Sequence, residues 1–160
     1  MALRGVIRAA LEGAARARVV WGGRAGPGWA AADAAGAVRW FARGAAPPTE
    51  GERRRFIQIN RKLAAAKDAD RLLTIVERER ERGVGLDMVN VATAWRRLAT
   101  MSAREGWVLG DKRTDALEEL VEEKIEEMGA QGVANTLWSY ATMERELPPQ
   151  VAEALDKAVV

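Results

Sequence analysis

Arginine, lysine, tryptophan and small polar side chains carry most of the chemistry open to this 160-residue sequence, because it has no cysteine and no histidine. That lack excludes Cys/His zinc sites, cysteine nucleophiles, Ser-His-Asp triads and histidine acid–base schemes. Carboxylates are the remaining acid–base groups, and six of them (Glu118, Glu119, Glu122, Glu123, Glu126 and Glu127) share one helical face. They follow continuous surface spacing with no glycine turn or oxygen-ligand loop. The face reads as solvated, and no catalytic residue, metal ligand, cofactor or small-molecule substrate is assigned. Cations suit phosphate, and tryptophans suit flat, stacked partners.

Such side chains need helices to position them, and from residue 51 onward the apolar pattern has helical period with no strand-like alternation. Phe56, Ile59, Leu63 and Ala66 predict a helix over 52–66, and Leu72, Leu73, Ile75 and Val76 a second over 68–82, closed by Gly83 and Gly85. The run Glu77 to Arg82 alternates charge and reads as a solvated, self-paired helix end. Asp87 suits the N-cap of a third helix over 87–101, with Val91, Ala94, Trp95 and Leu98 inward. Arg104 to Gly110 reads as a loop. Asp115, Leu117, Leu120, Val121, Ile125 and Met128 define a fourth helix, Gln131 to Met143 a fifth, and Pro148-Pro149 opens a sixth with Val151, Leu155 and Val159 inward. The expected class is all-α.

The chain is also similar to itself. Residues 90–101 align with 132–143 at an offset of 42, and five of twelve positions are identical. Ala154-Leu155-Asp156 and Val159 then repeat Ala116-Leu117-Glu118 and Val121 at a spacing of 38. Two-helix units of 38 to 44 residues predict an α-solenoid of antiparallel helical hairpins, about two and a half repeats long.

The string Val133-Ala-Asn-Thr-Leu-Trp138 and the helix around it, Gln131 to Met143, resemble the octotricopeptide-like repeats of algal and protist organelle proteins, relatives of FAST-kinase/RAP-domain proteins. Ile59 to Leu73 followed by Asn90 to Trp95 is similar to the opening repeat of that group, so the resemblance spans about residues 56–160. It implies an RNA-binding factor acting in processing, stability or translation of mitochondrial or plastid transcripts. Family members usually carry more repeats and a carboxy-terminal RAP domain, which this sequence does not contain. The tryptophan also shifts between copies: Trp95 in one, Trp138 opposite Arg96 in the other.

A helical repeat reads single-stranded RNA with a few side chains per unit. Thr93, Arg97 and Thr100 fall at i, i+4 and i+7, and Asn135, Ser139 and Thr142 occupy the same places 42 residues on. These stripes are candidate readout positions, or else small polar residues at helix contacts. Arg53, Arg54, Arg55, Arg61, Lys62, Arg96, Arg97, Lys112 and Arg113 are the candidate phosphate contacts. Trp95, Trp138 and Tyr140 lie in apolar stripes and read as core, which leaves Trp107 as the stacking candidate. The competing reading is a protein-interaction scaffold, such as an accessory subunit of an organelle ribosome or a partner of other repeat proteins.

Residues 1–50 differ from the rest. They hold sixteen Ala, eight Gly and seven Arg against three acids, while residues 51–160 carry 18 basic and 20 acidic side chains. The basic pI therefore belongs to the leader, and the body offers no general pull on phosphate. Leu3, Val6, Ile7, Ala10, Leu11 and Ala14 share one face of an Arg-rich amphipathic segment, as in a mitochondrial or plastid transit peptide. No apolar run approaches the roughly 20 residues needed to span a bilayer, so no membrane partner is expected. A reporter fused to residues 1–50 is expected to be imported into an organelle; a diffuse cytosolic signal would contradict the transit reading.

Overall fold

A computed structural model of the chain describes residues 48–83 and 85–159, with the side chains of Leu155, Ala158 and Val159 excepted. The amphipathic segment expected to act as a transit peptide and most of the leader lie outside these residues, as do the inward positions expected for Leu155 and Val159. Among the described residues there are six α-helices and no strand. None of these helices is long and apolar enough to cross a membrane.

Helix α1, Glu50–Ala65, starts on a capping box: Thr49 Oγ1 accepts from the Glu52 N–H at 3.2 Å, and Glu52 accepts from the Thr49 N–H at 2.7 Å. It ends where Ala66 turns extended. Helix α2, Ala69–Glu81, is capped by Asp68, which accepts from the Arg71 N–H at 2.7 Å. Gly83 and Gly85 leave it with φ of 82° and 72°, the left-handed region that side chains avoid. Helix α3, Met88–Ser102, has the expected Asp87 cap, completed by Asn90 into a second reciprocal box.

The predicted loop is corrected next. Gly106–Gly110 forms a 3-10 helix that buries Val108 and leaves Trp107 and Leu109 exposed. Thr114, fully buried, fixes this turn by donating to the Val108 carbonyl at 2.7 Å. The fourth helix is also shorter than its apolar pattern suggests. Helix α4 spans Lys112–Lys124, Ile125–Glu127 tightens into a 3-10 turn, and Met128 is extended but buried. Helix α5, Ala130–Met143, follows, and Glu144 ends it at a left-handed φ of 53°. Helix α6 covers Pro149–Val159.

Helix α3 is the centre of the packing. It touches α1, α2, α4, α5 and the Gly106–Gly110 turn, whereas α2 also meets α4, and α6 meets α5 and the turn after α4. Helices α1, α3 and α5 thus form an odd row with α3 in the middle. Trp95 and Tyr140 join α3 to α5, both buried, with ring centroids 5.1 Å apart and planes tilted by 56°. Positions 42 residues apart bury alike in the two helices: Val91 with Val133, Ala94 with Thr136, Leu98 with Tyr140, and Met101 with Met143.

Two charged segments pack more deeply than their patterns suggest. Glu79, read as part of a solvated helix end, is only 3% exposed and lies between Arg55 of α1 at 3.0 Å and Arg82 at 3.5 Å. Arg80 reaches across to Glu119 of α4 at 3.6 Å. The charges of α2 therefore join neighbouring helices as well as one another. The α4 carboxylates divide in the same way: Glu119 and Glu123 are exposed, while Glu118, Glu122, Glu126 and Glu127 are half-buried.

Because Trp95 fills the contact between α3 and α5, Trp95→Ala is expected to destabilise the fold by about 3–5 kcal/mol. Urea unfolding checks this; a loss below about 1 kcal/mol would show that the ring is not a core element.

Candidate functional site

The even helices carry one sign of charge and the odd row the other. Helix α1 has five cations against two carboxylates, α3 has two cations and no carboxylate, and α5 has neither, giving the odd row a net +5. Helix α2 has three cations against four carboxylates, α4 with its following turn three against seven, and α6 one against two, a net −6. The near-neutral sum of the body hides this separation. The body as a whole still offers no general pull on phosphate, so any pull is local and follows this arrangement of charge.

On α1 three of the five cations are available. Arg53, Arg61 and Lys62 are exposed and make no ion pair among the described residues, while Arg54 pairs with Glu50 at 3.0 Å and Arg55 with Glu79. Arg97 is half-buried, and its guanidinium donates to the Ala66 carbonyl at the end of α1. A cation there satisfies a terminal carbonyl and complements the helix dipole. Arg97 thus holds α1 to α3 and is no longer a free phosphate contact.

The exposed stripes are rotated from the predicted ones. Ser139 is fully buried and donates to the Asn135 carbonyl at 2.7 Å, so it sits inside the helix packing and cannot read a ligand. The middle place is taken instead by Arg96 on α3 and Trp138 on α5. Arg96 is exposed, and its guanidinium carbon lies over the half-buried Trp138 ring at 5.4 Å from the centroid. Arg96 also donates to Asn135 Oδ1, which accepts from Gln131 Nε2 at 3.3 Å as well. Thr93 is half-buried beside this group. Thr100 and Thr142 are exposed, and their hydroxyls donate to the carbonyls of Arg96 and Trp138 at 3.0 and 2.7 Å.

Trp138, which apolar patterning assigned to the core, is half-buried: it packs against the core and leaves part of its ring under Arg96. Its signal was present in the alignment of the two segments, where Trp138 stands opposite Arg96. Residues at matching places on neighbouring helices meet when those helices pack side by side.

Trp107, Lys112 and Arg113 lie apart from this surface, at the Gly106–Gly110 turn and the start of α4. Arg113 is engaged by Asp111 at 2.9 Å and Asp70 at 3.0 Å, and stands 5.9 Å from the Trp107 ring centroid. The Arg113 ion pair and hydrogen bonds hold Asp111 below the usual carboxylate range. Trp107 is 47% exposed and Lys112 is free of ion pairs among the described residues. No group of three or more Asp and Glu among the described residues could hold a metal ion.

Opposite the odd row, Arg145 ties the end of α5 to α4 through Glu118 at 2.6 Å and Asp115 at 2.7 Å. Burial pushes the Glu118 carboxyl above its ordinary range despite the attraction of Arg145. The Tyr140 phenol, buried beside it, is also pushed up, first by burial and then by the Glu118 charge. Comparison with known protein families, with curated proteins and with solved structures finds no match to this chain.

A raised folded-state carboxyl stabilises the fold fully below the unfolded glutamate range of about 4.3 and loses that contribution as pH climbs through its folded value. Glu118→Gln is therefore expected to gain stability relative to the parent between about pH 4 and pH 7. Denaturant midpoints across that range check the sign; a parent that gains on the variant would show the Arg145 pair dominating burial.

Proposed function

We propose that this protein binds single-stranded RNA in a mitochondrion or plastid, acting after transcription in RNA processing, stability or translation. Residues 51–160 would form an α-solenoid of about two and a half octotricopeptide-like hairpins, with residues 1–50 as the targeting leader. The observation that carries this reading is the sorting of charge onto the odd row, net +5, with Arg53, Arg61 and Lys62 of α1 exposed and outside any ion pair among the described residues, and Arg96 of α3 over Trp138 of α5. Single-stranded nucleic acid binds where cations track its backbone and flat side chains meet its bases. The order α1, α3, α5 supplies these in sequence: phosphate cations, then a planar cation over an indole, then a small polar edge.

A protein scaffold is the second reading, favoured by Trp107 and Leu109, exposed at 47% and 42% on the Gly106–Gly110 turn away from the odd row. Exposed apolar residues rimmed by polar ones suit a protein contact.

The full chain is expected to bind a pool of organelle transcripts in a salt-dependent manner, and Arg61→Ala/Lys62→Ala to weaken binding and flatten the salt dependence by about two counterions. A folded chain that binds no transcript at low salt would move the assignment to the scaffold. Unchanged binding by the double variant would take α1 out of the interface.

A further inference from the structure

Within the RNA-binding reading, on which this inference rests, we propose that the Arg96 guanidinium is a stacking platform for one unpaired base, held flat by Trp138 beneath it and oriented by Asn135. Three observations converge on this one place. Arg96 is exposed on the odd row, on the side of α3 that faces α5, and has no carboxylate partner among the described residues. Its guanidinium carbon lies over the Trp138 ring at 5.4 Å from the centroid. Its terminal nitrogen donates to Asn135 Oδ1.

A lone surface arginine samples many rotamers, and ordering it on a ligand costs up to about 2 kcal/mol of side-chain entropy. Here the indole below and the amide beside it fix the planar group before any ligand arrives. The platform sets one guanidinium face toward the Trp138 ring, over which the guanidinium carbon lies, and the other toward a base, since RNA bases stack on guanidinium planes as they do on aromatic rings.

Asn135 adds an edge to this platform. Its oxygen accepts from both Arg96 and Gln131, an arrangement that also assigns the amide orientation. Its Nδ2 makes no hydrogen bond among the described residues. Two free N–H donors beside the stacked base match a carbonyl-bearing edge, as on uracil or guanine, better than the mixed edge of adenine.

Charge alone would be served equally by lysine, whereas stacking needs the plane. The test therefore compares the full-length parent with Arg96→Lys, Arg96→Ala and Asn135→Ala, using a labelled oligouridine of about 12 nucleotides and an abasic oligomer of equal length. The platform predicts that Arg96→Lys loses nearly as much oligouridine affinity as Arg96→Ala, on the order of tenfold, with the salt slope of Arg96→Lys unchanged. It predicts that Arg96→Lys binds the abasic oligomer as well as the parent does. Asn135→Ala should lower the preference for oligouridine over oligoadenosine. Parental affinity in Arg96→Lys would overturn the platform while leaving RNA binding intact, since the contact would then be a simple phosphate pair. No binding of either oligomer by the folded parent would remove the RNA reading itself.

Discussion

Helix α3 is held from both sides, and the rest of the architecture depends on that. Trp95 fills its contact with α5 against Tyr140, while Asn90, itself buried, donates from its side chain to the Phe56 carbonyl of α1 at 3.0 Å. Arg97 makes a second tie, to the end of α1. Buried polar bonds and a large aromatic ring leave little freedom in how α3 is rotated about its axis. That rotation decides which of its side chains meet solvent. With Trp95 inward and Arg97 turned toward α1, Arg96 is left outward and directed to α5.

The even helices serve the same arrangement by a different route. Arg55–Glu79 joins α1 to α2, Arg80–Glu119 joins α2 to α4, and Arg145 joins the end of α5 to α4 through Glu118 and Asp115. Arg80–Glu119 is exposed and adds little stability by itself, whereas Glu79 and Glu118 are largely covered; together these pairs tie the acid-bearing helices to their neighbours. Carboxylates concentrated on α4 and α2 leave the odd row positive. A field of one sign along one side of a small domain attracts a polyanion to that side and repels it from the other.

Apolar period, the Asp87 cap and the Gly83/Gly85 breakers located the first three helices to within a residue or two. The caps at Thr49 with Glu52 and at Asp68, found in the structure, act within a turn in the same way. What lay beyond the sequence was inter-helical. Glu79 looks solvated in a run of alternating charge until Arg55 arrives from 24 residues away. Ser139 and Trp138 are adjacent in sequence, and only the approach of α3 determines which of them is covered. The 3-10 turn at Gly106–Gly110 had no periodic signal because its 5 residues span too few turns for a period to repeat.

Whether a single-stranded polyanion lies along α1, α3 and α5 is read by photo-crosslinking of the full chain to thiouridine-substituted RNA, with the crosslinked peptides mapped by mass spectrometry. Binding along this row gives adducts in the peptides of 50–65, 88–102 and 130–143, centred on Arg96 and Trp138. Adducts confined to α4, α6 or the Gly106–Gly110 turn would contradict it.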